Sequence, residues 1–289
     1  MTSTREWYLG ARPKTLPAAI APVIAGTGLA AAAKRFDLGT AAAALVVALA
    51  IQVATNYAND YSDGIRGTDD TRVGPMRLVA SGAATAAAVK RAAVLSFLVA
   101  GIAGIALAVI VSPWLILVGA ASISAGWLYT GGPKPYGYYG LGEVFVFVFF
   151  GLVATCGTYY VQARSIDSWS LLVGAEMGLL SVAILVANNL RDIDGDKINN
   201  KHTLAVRLGA ERTRLLYTAV VALSFVCVLV LGLKFRFALG ALISVLAALV
   251  PIKTVRSGAT GRDLLPVLAG TSRLLLLQAV LIGAGLALS

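Results

Sequence analysis

TAAAALVVALAIQVATNYANDYSDGIRGTDD, residues 40–70, passes from an uninterrupted apolar stretch directly into an acid-rich one. The apolar part has the length that a helix needs to cross about 30 Å of hydrocarbon. The part that closes it, 56–70, carries four aspartates and two asparagines. A second segment, NNLRDIDGD at 188–196, adds three aspartates at the end of another apolar run, so the two hold seven of the chain's 14 acidic residues. The rest of the 289 residues is poor in charge: 58% of the chain is hydrophobic and 13% charged, with a mean hydropathy of +0.82. A soluble domain of this size would alternate apolar and polar faces and carry about twice that charge. The composition predicts an all-α polytopic membrane protein with acidic sites at the ends of its helices.

Apolar runs between polar breaks place nine helices at about 16–33, 40–59, 92–111, 113–130, 141–162, 169–188, 213–233, 237–255 and 264–287. Only Ser112-Pro113 divides the third from the fourth, a tight turn in which proline cannot continue the helical ladder. The basic residues test this count. With the N-terminus in the cytoplasm, 18 of the 24 Lys and Arg fall in cytoplasmic segments and five outside, as the positive-inside rule requires. The expected protein is multi-pass in the plasma membrane, with both aspartate-rich loops cytoplasmic and the C-terminus outside. The net charge of +10 is then a matter of topology, anionic lipid and an anionic substrate, with no nucleic-acid partner. The basic start before the first run imitates a signal peptide. The run is long for one and contains Pro17 and Pro22, so it is read as a retained helix. Cys156 and Cys227 lie inside apolar runs without disulfide or metal spacing and are assigned to packing.

Asn56 and Asp60 precede Asn188 and Asp192 by a constant 132 positions. Residues four apart share one helix face, and four spans separate the segments, so both acidic faces emerge on the same side. This predicts one domain, 1–289, made of parallel four-helix repeats, about 16–130 and 141–255, around a central cavity, with the ninth helix at 264–287 left over. One such segment alone reads as a solvated helix end; two copies at one offset with the same facing do not. Carboxylates near a bilayer are costly, and helix C-termini add negative charge, so something positive must lie between them. An all-oxygen set favours a hard ion, Mg²⁺ first. With Arg66, Arg72, Arg77, Lys134, Arg191, Lys197 and Lys201 nearby, the set suits a diphosphate.

NYANDYSDGIRGTDD and NNLRDIDGDKINNKHTLAVRLG resemble the two aspartate-rich motifs of the UbiA-type intramembrane prenyltransferases. RPKTLPAAIAPVIAG at 12–26, GPMRLVASG at 74–82 and YTGGPKPYGYYGLGE at 129–143 are similar to further blocks of the subgroup that acts in menaquinone synthesis. The resemblance implies Mg²⁺-dependent transfer of a polyprenyl chain from polyprenyl diphosphate to 1,4-dihydroxy-2-naphthoate, with loss of the ring carboxylate, in the lipid bilayer. It assigns Mg²⁺ to Asp60, Asp63, Asp192 and Asp196, with Asn56, Asn59 and Asn188 supporting. Arg72, Lys134 and Lys201 become the groups that neutralise the leaving diphosphate. An allylic cation needs a dry, aromatic-walled cavity, for which Tyr129 is singled out among the loop aromatics. His202, the one histidine, is left out as a solvated loop residue.

Three alternatives stand beside this reading. Gly67 and the acids at 69 and 70 depart from the first motif of the 4-hydroxybenzoate enzymes, which disfavours that acceptor. A cation-coupled transporter would carry its acids near the bilayer midplane rather than at helix ends. A CDP-alcohol type transferase would require a different continuation after Asp63-Gly64 than Ile65-Arg66-Gly67.

Overall fold

The computed structural model describes residues 2–68, 74 and 76–289. Among the described residues all regular structure is helical: α1 (Thr4–Gly10), α2 (Pro17–Ala32), α3 (Leu38–Ile65), α4 (Ala86–Ile110), α5 (Leu115–Leu128), α6 (Gly142–Ala163), α7 (Ser168–Arg191), α8 (Ile193–Ile198), α9 (Leu204–Gly232), α10 (Arg236–Arg256) and α11 (Leu265–Ala287). Each of the nine expected runs is found as a helix. Seven are long and apolar enough to cross a membrane, and an eighth is so only if α2 is counted with the segment Thr4–Thr15, from which it bends by 50°. Pro13 and Pro17 break the chain there, and Arg12 takes a left-handed φ of 53°. The ninth, α5, has 14 residues, short for a span.

Polar residues move the helix ends away from the apolar limits. Helix α3 starts on Asp37, whose carboxylate accepts from the Thr40 N–H at 2.7 Å, a cap that satisfies one of the first-turn donors. It continues six residues beyond the expected end at 59, so Asp60 and Asp63 lie within the helix and not in a loop. Helix α9 likewise begins at Leu204, capped by Thr203, and is broken at Gly209 (φ 75°, ψ 165°). Hydropathy cannot see the added turns of α3 because Asp60 and Asp63 are satisfied by tertiary partners instead of water.

Two apolar cores hold the helices together. A smaller one joins Tyr57 and Ala58 of α3, Leu78, and Val89, Ala93 and Phe97 of α4. A larger one gathers α2, α7, α9, α10 and α11 around Met177, Leu180, Tyr217, Leu274 and Ile282. Outward faces of α4, α5 and α10 expose Val109, Leu117 and Val250, side chains suited to hydrocarbon. The chain is a multi-pass membrane protein.

Helices α2 and α11 approach so closely that a Cβ on Gly28 would lie 2.4 Å from the Gly283 Cα. Gly28→Ala is therefore expected to force the pair apart and destabilise the fold by about 1–3 kcal/mol, read as a lower unfolding temperature in detergent. An unchanged temperature would contradict this packing.

Candidate active site

A cavity of 1110 Å³ opens among α2, α3, α4, α5, α6 and α7, and both aspartate-rich segments line it. Asn59 and Asp63 come from the end of α3; Asn188, Asp192 and Asp196 come from α7 and α8. The Asn-x-x-x-Asp pairs whose asparagine and aspartate both line the cavity are thus Asn59 with Asp63 and Asn188 with Asp192, 129 positions apart. In that register the third member, Asp196, corresponds to Gly67.

Asp63 is 4% exposed. Its Oδ1 accepts from the Tyr138 hydroxyl at 2.6 Å and lies 3.3 Å from Lys201 Nζ, while Oδ2 is 3.7 Å from Arg77 Nη2. Lys201 Nζ also lies 4.7 Å from the Tyr138 ring centroid, a cation–π distance. Burial, and then the Asp63 charge, push the Tyr138 phenol above its ordinary range. The phenol therefore keeps its proton, and its bond to Asp63, through neutral and mildly alkaline pH. Asp192 is gripped by the adjacent Arg191, Nε to Oδ1 at 2.7 Å and Nη2 to Oδ2 at 2.6 Å. Asp196 accepts from Thr203 at 3.4 Å, and its carbonyl accepts from the Lys201 N–H at 2.8 Å. Asn199 ties the segments together, donating to the carbonyls of Thr68 at 3.4 Å and Gly195 at 2.9 Å.

Not every expected residue reaches this centre. Asp60 does not line the cavity; it is 0% exposed and accepts from the backbone N–H groups of Leu78 at 2.8 Å and Val79 at 3.0 Å. Asn56 lines the cavity but its amide donates to the Ala11 carbonyl and Thr15 Oγ1, holding the α1–α2 connection to α3. Lys134 is exposed and off the cavity: Arg66 binds the carbonyls of Thr130 and Gly132, and the following turn directs Lys134 outward. Arg72, with Asp69 and Asp70, lies outside the described residues. His202 is exposed, its N–H donating to the Tyr138 carbonyl. Cys156 and Cys227 are buried free thiols.

Tyr129 is where the sequence placed it, on the cavity wall, and it is joined by aromatic neighbours. Its ring meets Tyr136 edge-on at 5.5 Å, Tyr136 stacks on Phe145 at 3.9 Å, and Phe145 stacks on Phe149 at 6.0 Å. Phe149 and Phe150 belong to a π-helical turn of α6, Phe147–Val153, a widening often found at functional sites. Sequence reasoning passed over Asn189, which lines the cavity and donates to the buried Glu143 at 3.0 Å. It also undervalued Tyr138. Both residues sit beside or within blocks already singled out, which was the available signal.

Among the described residues, no three His, Cys, Asp or Glu side chains stand close enough to hold a metal by themselves. The positive charges required near the carboxylates are Arg77, Arg191 and Lys201. The two aspartate-rich segments face the cavity with carboxylate and amide oxygens, and neither cysteine nor histidine is among its described lining residues. Such a set fits Mg²⁺, which takes one or two carboxylates and completes its shell with water and substrate phosphates.

Residues 19–264 match the model of the UbiA prenyltransferase family. A 1,4-dihydroxy-2-naphthoate octaprenyltransferase of Mycobacterium leprae is 50% identical over 289 residues, covering 100% of this chain and 98% of its own. The enzyme of the same description from Mycobacterium tuberculosis is 51% identical over 287 residues, covering 99% and 98%. The fold is also similar to that of a UbiA homolog from Archaeoglobus fulgidus solved with GPP and Mg²⁺, with a TM-score of 0.69 at 13% identity over 96% of this chain and 99% of that one. A UbiA homolog from Aeropyrum pernix K1 gives a TM-score of 0.71 at 14% identity, covering 93% and 96%.

Proposed function

The chain belongs to the UbiA prenyltransferase family, and on that premise we propose that it transfers a polyprenyl group from its diphosphate to 1,4-dihydroxy-2-naphthoate in menaquinone biosynthesis. The observation that carries this reading is the convergence of Asp63, Asp192, Asp196 and Lys201 on one end of a largely apolar, aromatic-walled cavity. Full-length relatives at about half identity bear that activity in their names.

The diphosphate occupies the polar end, where Lys201, Arg77 and Arg191 bind its oxygens. One or two of Asp63, Asp192 and Asp196 would hold Mg²⁺ beside Asn59 and Asn188, with water and the diphosphate completing its shell, and the ion would supply electrostatic relief of the charge left on the departing oxygen. The Tyr138 hydroxyl and Thr203 orient two of these carboxylates, and Thr130 holds the Asn59 amide by donating to it at 2.8 Å. As the prenyl C–O bond breaks, its electron pair leaves on the diphosphate. Tyr129 and the stack of Tyr136, Phe145 and Phe149 beside it then offer π-electron density to the allylic cation, and the apolar walls keep water from it. The naphthoate ring forms the new C–C bond, the carboxylate leaves as carbon dioxide, and the skeleton of demethylmenaquinone results. The aspartate-rich end faces the cytoplasm of a plasma-membrane protein in this reading. The 129 offset supports two parallel four-helix units, about 16–130 and 141–255, with a ninth helix at 264–287.

The apolar end of the cavity is lined by Gly104, Gly119 and Gly157, around which a Cβ would meet nothing within 4 Å. Filling this space with Gly119→Leu should shift product towards shorter prenyl chains when diphosphates of several lengths compete; an unchanged distribution would place the chain elsewhere. Purified protein with Mg²⁺ and a long prenyl diphosphate is expected to prenylate dihydroxynaphthoate and not 4-hydroxybenzoate. Product with hydroxybenzoate alone would move the enzyme to the other acceptor class, and product with neither would refute the reading.

A further inference from the structure

Asp60 belongs to the first aspartate-rich segment, yet it turns away from the cavity that Asp63 enters. Both carboxylate oxygens are taken by consecutive backbone N–H groups, Leu78 at 2.8 Å and Val79 at 3.0 Å. Neither the carboxylate, at 0% exposure, nor Leu78, also at 0%, is open to the cavity or to water. One helical turn on, a Cβ at Gly64 would lie 2.5 Å from Val79 Cβ, so α3 and the 76–82 segment are pressed together at the same place. The residue immediately before the clamped pair is Arg77, whose guanidinium lies 3.7 Å from Asp63 and lines the polar end of the cavity. A carboxylate that accepts two backbone donors fixes a segment more firmly than neutral hydrogen bonds do, and burial makes an unpaired N–H costly.

We propose that Asp60 is a positioning residue and not a metal ligand: it clamps the Leu78 and Val79 backbone so that Arg77 is held against Asp63, where it receives the diphosphate. The proposal rests on the prenyl-diphosphate reading and divides the acids of the first segment by task. Asp63 faces substrate, while Asp60 acts through Arg77. Helix geometry makes the division natural, because three residues turn the side chain by about 60° from the facing of the first.

The test measures binding of farnesyl thiolodiphosphate, a poorly ionising substrate analogue, to the purified full chain as Mg²⁺ is titrated. Asp63→Asn should raise the Mg²⁺ concentration for half-maximal binding by about tenfold, the order seen for weakened metal shells. Asp60→Asn should leave that midpoint unchanged and weaken the saturated affinity by about tenfold, the scale of one charge-assisted hydrogen bond. The double variant Asp60→Asn with Arg77→Ala should bind no more weakly than Arg77→Ala alone, because residues acting through one contact are not additive. A shifted Mg²⁺ midpoint for Asp60→Asn, or multiplied losses in the double variant, would overturn the proposal. Tryptic cleavage at Arg77–Leu78, read by mass, supplies a test without ligand: Asp60→Asn should accelerate it, and an unchanged rate would also overturn the clamp. If the wild-type protein binds no thiolodiphosphate, the prenyl-diphosphate reading fails, and the cleavage experiment still decides the role of Asp60.

Discussion

Asp63→Asn is expected to lower kcat by about 10²–10³-fold, the loss seen when one preorganised group facing a developing charge is removed. Asp63 is where the charges of the site meet: Lys201 at 3.3 Å, Arg77 at 3.7 Å and the Tyr138 hydroxyl at 2.6 Å. Asparagine keeps the volume but halves the acceptors and removes the negative charge, so a cation loses a ligand and two basic groups lose their counter-charge. Asp192→Asn should behave alike, because Arg191 then loses a bidentate partner. Turnover in detergent under saturating Mg²⁺ checks both, and an enzyme within threefold of wild type would remove these carboxylates from the mechanism.

Lys201→Met should cost about 10²-fold in kcat, the second-largest effect. Methionine retains most of the aliphatic stem, while the ammonium over the Tyr138 ring, the charge proposed to meet the leaving diphosphate, is lost. The affinity for the dihydroxynaphthoate acceptor should change little, since the ammonium lies at the carboxylate end of the cavity. A raised acceptor KM with unchanged kcat would place Lys201 on the ring instead. Tyr138→Phe should cost less, about 1.5 kcal/mol, the lower end for a hydrogen bond to a charged group, seen as a lower rate that mild alkali does not restore.

The membrane fold was legible because apolar length is a strong signal, and all nine runs are helices. What hydropathy missed is polar helix: the last turns of α3, whose Asp60 and Asp63 bond to other segments, and the first of α9, which carry Arg207, Glu211 and Arg212. The site was legible as two acid-rich helix ends, but the facing within them was not. An offset of 132 pairs Asp60 with Asp192, whereas one of 129 pairs Asp63 with it, and both satisfy a four-residue spacing. The choice is made by the 76–82 segment, whose backbone donors claim Asp60. Lys134 failed for a similar reason: a basic residue in the right block faces solvent because the turn after Gly132 is set by Arg66 on the carbonyls. Tyr129, which directly follows α5, does line the cavity, with its ring packed against Gly137.

The most direct measurement uses 1,4-dihydroxy-2-naphthoate carrying ¹³C in its carboxylate, with a long prenyl diphosphate, Mg²⁺ and the purified chain. One labelled carbon dioxide is expected for each prenylated ring, and neither product when chelator replaces Mg²⁺ or Asn replaces Asp63. Prenylated product that keeps the label, or turnover that survives both treatments, would contradict this mechanism.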